Sequence, residues 1–479
     1  MAKKKVAKTK ANPSTSDQAA TKKKAAKKKA ATPGQRPAPK KKMTKKDAQA
    51  AYSPENLMAT SSAGLAAITQ RFATEYADPF IAVAGEAGRI VVGIAVPFAY
   101  EYLIQNSVLP MGRMTCVVGK THCNKSALTY EFFRWLRPYA GQGYLVENET
   151  KASPDLAHSI IGYQDEGVVT PWSIIPSYSV EDWQGKLQAI ADGLRGQWVT
   201  KSDANPFPPG RVFPAIITLD SIMGKLSEES QAKIEELGHS GRAHAHEALI
   251  ITSYLKKYPQ DIAAWPIHFV AVNHLKPKKA EQGHHIERNK AGGVHIDFQQ
   301  TFEIELSKLK KIERVDHDEH EGFKVGGNVI QMRCFKNGLG EDQHRIQVPI
   351  IWYNRRFEGP KGSEVRQYTK WDWDSAAVEL LTAGFKEKTY LDKVREIVDI
   401  HQVTGGKYWS KALDVPKSDP LPKSDLGRKL TRHRQIRNDL RDLFGIKRRK
   451  VFRKGVDYLE QIEVLREDVE DQMDNMDEN

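Results

Sequence analysis

From residue 114 onward, apolar and polar positions alternate between two rhythms. Short apolar or β-branched runs at 114–118, 144–146, 216–219 and 268–272 predict strands. Between them, residues 127–136, 180–194 and 228–237 carry apolar side chains at helical spacing. Strands alternating with helices imply βαβ units and a mostly parallel, buried sheet. Three further runs, 302–306, 329–335 and 346–352, follow one another closely and predict antiparallel additions at the sheet edge. Upstream, residues 56–76 predict a helix, with Leu57, Leu65, Ile68, Phe72 and Tyr76 at mixed spacings of three and four. Downstream, the Pro/Ser/Lys-rich stretch 415–425 reads as a linker. Residues 426–454 are strongly basic, with Leu430, Ile436, Leu440 and Leu443 as an apolar stripe. No internal repeat is visible.

Charge separates a tail from this pattern. The 479-residue chain has a net charge of +13, but residues 1–46 alone hold 16 Lys, one Arg and one Asp. That segment has almost no large apolar groups, so burial cannot offset its ordering entropy and it is expected to be disordered. Its density of lysine suits a polycationic arm on nucleic acid phosphates, and a nuclear localisation signal has the same composition. The chain closes on the acidic stretch 467–479, with seven carboxylates and no base. This stretch is expected to compete with DNA for the basic surfaces, while residues 426–454 suit an auxiliary duplex-DNA site. Three cysteines form no disulfide framework and suggest a reducing compartment. The most apolar stretch, 81–100, is broken by Glu86, Arg89, Pro97 and three glycines, short of the roughly 20 apolar residues a bilayer span needs. The expectation is a soluble protein without a membrane partner, cytoplasmic and nucleoid-associated, or in host cytoplasm if viral.

The chemistry concentrates in residues 109–128, LPMGRMTCVVGKTHCNKSAL. An apolar run feeds a loop, Gly119, Lys120, Thr121, His122, Cys123, Asn124, Lys125 and Ser126, and then a helix. This matches G-x(4)-G-K-[ST] except that Asn124 replaces the second glycine. Such a loop and helix N-terminus form an anion nest; Lys125 would reach the β- and γ-phosphates and Ser126 would ligate Mg²⁺. Asn tolerates positive φ best among non-glycine residues, so the loop survives the exchange. A second apolar run, AIITLDS at 215–221, ends in Asp220, the form of a strand whose carboxylate holds Mg²⁺ beside a phosphate loop. A third, GYLVENETKASP at 143–154, ends in Glu147 and Glu149. One acid must activate the attacking water, and spacing alone does not choose between them.

Taken together, these segments resemble RecA-type recombinases, including the bacteriophage UvsX-like members. LPMGR resembles the family's entry into the phosphate loop, VENETKASPD its acid-bearing strand end, and ITLDS its Mg²⁺-binding strand. VAVNHL (270–275) is similar to the strand that ends in Asn-Gln, AGGVHIDF (291–298) to the close of the second DNA loop, and MRCFKN (332–337) to the strand carrying a lysine that acts on a neighbouring subunit's ATP. Order and approximate spacing agree over about residues 92–353.

The resemblance implies an α/β fold: a RecA-like P-loop NTPase core with a mostly parallel central sheet, a disordered basic N-terminal tail and a small C-terminal domain. The implied partition is 1–46 tail, 47–108 helical oligomerisation segment, 109–360 ATPase core, 361–466 basic domain and 467–479 acidic tail. ATP and Mg²⁺ would be the cofactors. Glu149 would be the base, Lys336 would act in trans, and His274 would replace a γ-phosphate-sensing Gln, making sensing pH-dependent. Gly338 stands where a second trans-acting lysine is usual, and Leu156 near an adenine-stacking aromatic. DNA would meet Lys276, Lys278, Lys279, Arg288 and Lys290, with Gly292 and Gly293 admitting the backbone and Phe298 coupling ATP state to the DNA loops. A first DNA loop is expected near 238–246, with Arg242 as its contact. His239, His244 and His246 there lack a Cys or acid companion, so a polar loop is the plainer reading than a metal site.

The implied function is an ATP-dependent recombinase that forms a helical filament on single-stranded DNA and pairs it with duplex DNA in recombination and repair. The rival readings are a ring helicase on the same core and a DNA-coating protein with a degenerate ATP site.

Overall fold

Residues 114–118, MTCVV, put apolar or β-branched side chains on both strand faces, and a strand of that kind must be covered on both sides. The computed structural model describes residues 92–149, 151–163, 172–199, 213–222, 241–263, 265–276, 289–290, 299–316, 324–359, 362–383 and 388–452. All lie in one unit, Phe72–Asn479. The predicted helices at 56–76 and 228–237, and both charged tails, lie outside the described residues.

In chain order the elements are β1 (Val92–Ala95), α1 (Phe98–Ile104), β2 (Val108–Pro110), β3 (Arg113–Gly119), α2 (Lys125–Trp135), β4 (Gln142–Glu147), α3 (Pro154–Ile161), β5 (Trp172–Pro176), α4 (Val180–Val199), β6 (Ala215–Asp220), α5 (Gly241–Ile262), β7 (Ile267–Lys276) and β8 (Asn289–Lys290). Then follow β9 (Phe302–Asp316), β10 (Lys324–Asn337), β11 (Arg345–Gly359), β12 (Gly362–Trp371), α6 (Trp373–Ala383), α7 (Lys388–Val398), β13 (Ile400–Gln402), β14 (Lys407–Ser410), β15 (Leu421–Pro422), α8 (Lys423–Arg432), α9 (Arg434–Leu443) and β16 (Lys450–Val451).

The large sheet has the order β12-β11-β10-β9-β3-β7-β6-β4-β5, with β8 paired to the end of β7. From β9 to β5 every neighbouring pair is parallel. From β9 to β12 every pair is antiparallel. The fold is therefore α/β around a mostly parallel sheet. One expectation is corrected: the run 302–306 is not an antiparallel addition to its β3 side but the last parallel strand. Strand β9 pairs parallel with β3 and only its other edge faces antiparallel β10. Strands β9 to β11 also outrun their apolar cores, to 15, 14 and 15 residues. Ser307–Lys311 of β9 are exposed, so an apolar run marked only the half that the sheet buries.

All of β6 is buried, as is β3 beyond Arg113. Fully burying one such Val, Ile or Leu contributes about 1.5–3 kcal/mol. Helices α4 and α5 join through Trp183 and Tyr254, and Tyr258 of α5 meets Phe269 of β7 edge-on. Tyr100 of α1, Trp135 of α2 and Trp373 of α6 form another aromatic group. The buried Glu131 carboxylate accepts from both indoles, Trp135 at 3.2 Å and Trp373 at 2.9 Å. Residues 415–425 are not a bare linker: β15 and the first turn of α8 fall within them, and Val415 is buried.

Candidate nucleotide site

Chain order moves from β3 across the sheet to β4, then returns through β6 and β7 to the β3 edge before passing to β9. In such sheets ligands sit beyond the carboxyl ends of the strands where the order reverses. The candidate residues gather there. Gly119 ends β3 level with His274 on β7, and Glu147 ends β4 level with Asp220 on β6.

The loop after β3 turns through His122 at φ 61° and Asn124 at φ 64°. Asn124 caps α2 in the left-handed conformation that the glycine of the motif supplies. The Asn124 side-chain amide nitrogen is buried without an acceptor. Orphan donors of this kind at a helix N-terminus are the chemistry of an anion nest. Gly119 is constrained differently: a Cβ there would stand 2.5 Å from the Cys123 sulfur and 2.6 Å from the Leu306 carbonyl oxygen. Cys123 itself donates to the Lys120 carbonyl, and burial raises its thiol pKa.

Lys125 is 6 % exposed. Its ammonium donates to the Gly119 carbonyl at 3.1 Å, the Lys120 carbonyl at 2.9 Å and His274 Nδ1 at 3.3 Å. All three N–H donors are thus used within the chain. Because Nδ1 faces a donor, the neutral ring carries its proton on Nε2, which donates to Glu149 Oε1 at 2.7 Å. Ser221 donates to the same oxygen at 2.5 Å, and Lys151 reaches Oε2 at 3.0 Å. These hydrogen bonds, that from His274 foremost, hold the Glu149 carboxyl down at about 2.

Ser126 donates to Asp220 Oδ2 at 2.5 Å. Burial pushes the Asp220 carboxyl up to about 6, against the lowering effect of that hydrogen bond. The Ser126 hydroxyl and Asp220 carboxylate are hard oxygen donors side by side, a set that fits Mg²⁺. The bound ion would supply charge neutralisation at the phosphates.

Three contributors escaped the sequence reading. Asn148 donates to the Ser221 carbonyl and accepts from the Ser221 amide at 2.8 Å, locking the ends of β4 and β6 together. Ser221 and Lys151 then fix the Glu149 carboxylate. Their one signal was their position inside the acid-bearing motifs. Glu147 is distinguished from Glu149 by its surroundings: it is buried and accepts from the Lys151 amide at 2.7 Å, whereas Glu149 meets His274. Leu156, in the first turn of α3, is partly buried against the core.

Not every candidate comes to this site. Lys336 lies on β10 opposite Glu303 of β9, which is level with Cys116 in the middle of β3, three residues back from Gly119 where the loop begins. The 238–246 stretch is not a loop throughout: from Gly241 it is helix α5, and Arg242 falls in its first turn. Lys276 and Lys290 lie where β7 and β8 pair, Leu275 against Lys290 and Lys276 against Asn289. The two ends of the basic 275–290 segment are therefore joined beside His274. Lys278, Lys279, Arg288, Gly292, Gly293 and Phe298 lie outside the described residues, as does His239.

Among the described residues no group of three or more His, Cys, Asp or Glu is arranged to hold a metal, and no helix is long and apolar enough to cross a membrane. No family model and no curated protein matches the chain.

Proposed function

We propose that the chain is a DNA-dependent ATPase of the RecA type, which assembles on single-stranded DNA and promotes homologous pairing with duplex DNA. The observation that carries the reading is the linked set Lys125–His274–Glu149 beside Ser126–Asp220, gathered where the strand order reverses. The loop amides and Lys125 bind phosphate, and Ser126 with Asp220 provides the Mg²⁺ ligands.

A carboxylate held at about 2 is a poor proton acceptor. Phosphate entering the nest competes with His274 for the Lys125 ammonium. Moving Lys125 frees the ring, and a freed ring no longer has to donate to Glu149. Glu149 then regains basicity and orients water at the γ-phosphate. His274 precedes the joined ends of the basic segment by one residue, so the same movement reaches the proposed DNA contacts Lys276 and Lys290. The completeness of this network favours a working site over the DNA-coating alternative. In this reading Lys336 acts from a second copy of the chain.

Turnover of ATP by purified protein should rise severalfold with single-stranded DNA, and Lys125→Ala should abolish it. No DNA-stimulated turnover in wild type would sink the proposal. Electron microscopy with ATP and single-stranded DNA should show filaments; closed rings alone would favour the helicase.

A further inference from the structure

A cavity of about 400 Å³ lies between Ser107, the corner joining α8 to α9, and the residues leading into β16. Six arginines line it: Arg432, Arg434, Arg437, Arg441, Arg448 and Arg449. Its origin is local. Arg434, Arg437 and Arg441 follow one another at spacings of three and four on α9, so they share a helix face. Ile436 and Leu440 carry the opposite face into the core. The wall is held from behind by Glu101, which is fully buried and accepts from Arg437 and from Arg441 at 2.8 Å.

That anchoring leaves positive charge in excess. Asp442 pairs with Arg448 at 2.5 Å. Arg432, Arg434 and Arg449 have no carboxylate partner among the described residues. The Nε atoms of Arg437 and Arg449 are buried without any hydrogen-bond partner. A buried donor left unpaired is unfavourable, more so when charged, so these arginines are suited to an incoming anion. Guanidinium forks bind phosphate oxygens in pairs. Among the described residues no carboxylate and no aromatic ring lines the cavity, and Val451 is its one apolar side chain. A base would find nothing to stack on.

We propose that this cavity is a second phosphate site, separate from the loop at 119–126, that takes adjacent phosphate groups without reading bases. The shared chemistry admits two sources, a nucleic acid backbone or a free polyphosphate. The site does not depend on the nucleotide reading above.

The test uses the full chain carrying Lys125→Ala, so that the phosphate loop does not report. Arg432→Gln and Arg434→Gln are added together; both side chains are exposed, and circular dichroism checks the fold. Inorganic tripolyphosphate is titrated by calorimetry, and labelled duplex DNA by anisotropy over a salt series. The expected result is at least tenfold weaker binding of one probe or both on adding the arginine changes. For DNA the salt slope should also fall by about 2, from roughly 0.9 per lost phosphate contact. A DNA effect that tripolyphosphate reverses by competition assigns the backbone as source; a tripolyphosphate effect alone assigns the free anion. Unchanged affinity for both probes overturns the site. Loss of nucleotide turnover in an otherwise unaltered Lys125→Ala chain bears only on the ATPase proposal.

Discussion

His274 is placed so that one ring serves two partners of opposite charge. Its Nδ1 accepts from the Lys125 ammonium and its Nε2 donates to the Glu149 carboxylate. A glutamine can offer the same donor and acceptor. His274→Gln should therefore retain turnover, whereas His274→Ala should lose most turnover while still binding nucleotide. Loss of turnover in His274→Gln equal to that in His274→Ala would refute the shared donor and acceptor role. Glu149→Gln should bind nucleotide normally and reduce hydrolysis by about 10²–10⁴-fold, the usual range for a positioned base.

Two buried groups set opposite pH dependences. The Asp220 carboxyl is raised to about 6, so the folded chain holds that proton more tightly than the unfolded chain. Stability from Asp220 is present at low pH and is lost as pH rises through about 6. Asp220→Asn should accordingly melt higher than wild type at neutral pH without nucleotide, show little gain near pH 4, and lose Mg²⁺-dependent nucleotide binding. A lower melting temperature at neutral pH would refute the unfavourable buried charge. Elsewhere, burial holds His268 down at about 4, with its Nδ1 donating to the Pro110 carbonyl and Nε2 accepting from Thr115. Charging it favours unfolding, so this contribution is lost as pH falls from about 6.5 towards 4.

At the scale of elements, the loop at 119–126 depends on two backbone requirements. Asn124 sits at φ 64°, where a β-branched residue meets the steric penalty of the left-handed region, about 1–2 kcal/mol. Asn124→Gly should leave nucleotide affinity within a few-fold, and Asn124→Val should weaken it by at least tenfold; calorimetry with a non-hydrolysable ATP analogue decides. Gly119→Ala should be worse than either, because its methyl meets a backbone carbonyl that is held in the β3–β9 pairing. Strands β3, β4, β6 and β7 were legible because burial on both faces leaves an unbroken apolar run. Strand β5 was not: its WSIIP segment is partly exposed at the sheet edge, and its side chains carry a weaker pattern. The first four residues of β12 are exposed and its buried positions include Arg366 and Thr369, so hydropathy carried little signal for it.

Across the whole unit, the C-terminal stretch is built into the fold. Strand β16 pairs with β1, and β12 extends the large sheet beyond β11. Trp371 and Trp373 stack, and Trp373 shares the Glu131 carboxylate with Trp135. A chain ending at residue 360 would leave that aromatic group and Glu131 open to water. It should lose the cooperative melting of the full chain, as differential scanning calorimetry would show; a cooperative transition at the full chain's temperature would refute this.

Sequence alone determined the local pattern: a loop between strand and helix, acids at strand ends, an asparagine able to turn where the motif has glycine, and charge gathered at the chain's ends. Each depends on neighbours in the chain, so spacing and residue type are enough. Tertiary structure decided the rest. Only strand order brings His274, level with Gly119 at the end of β3, between Lys125 and Glu149. Only the packing of α9 against Glu101 turns a basic helix face into one wall of an arginine-lined cavity. Both are long-range pairings, and a hydropathy pattern carries no record of which distant segment a side chain will meet.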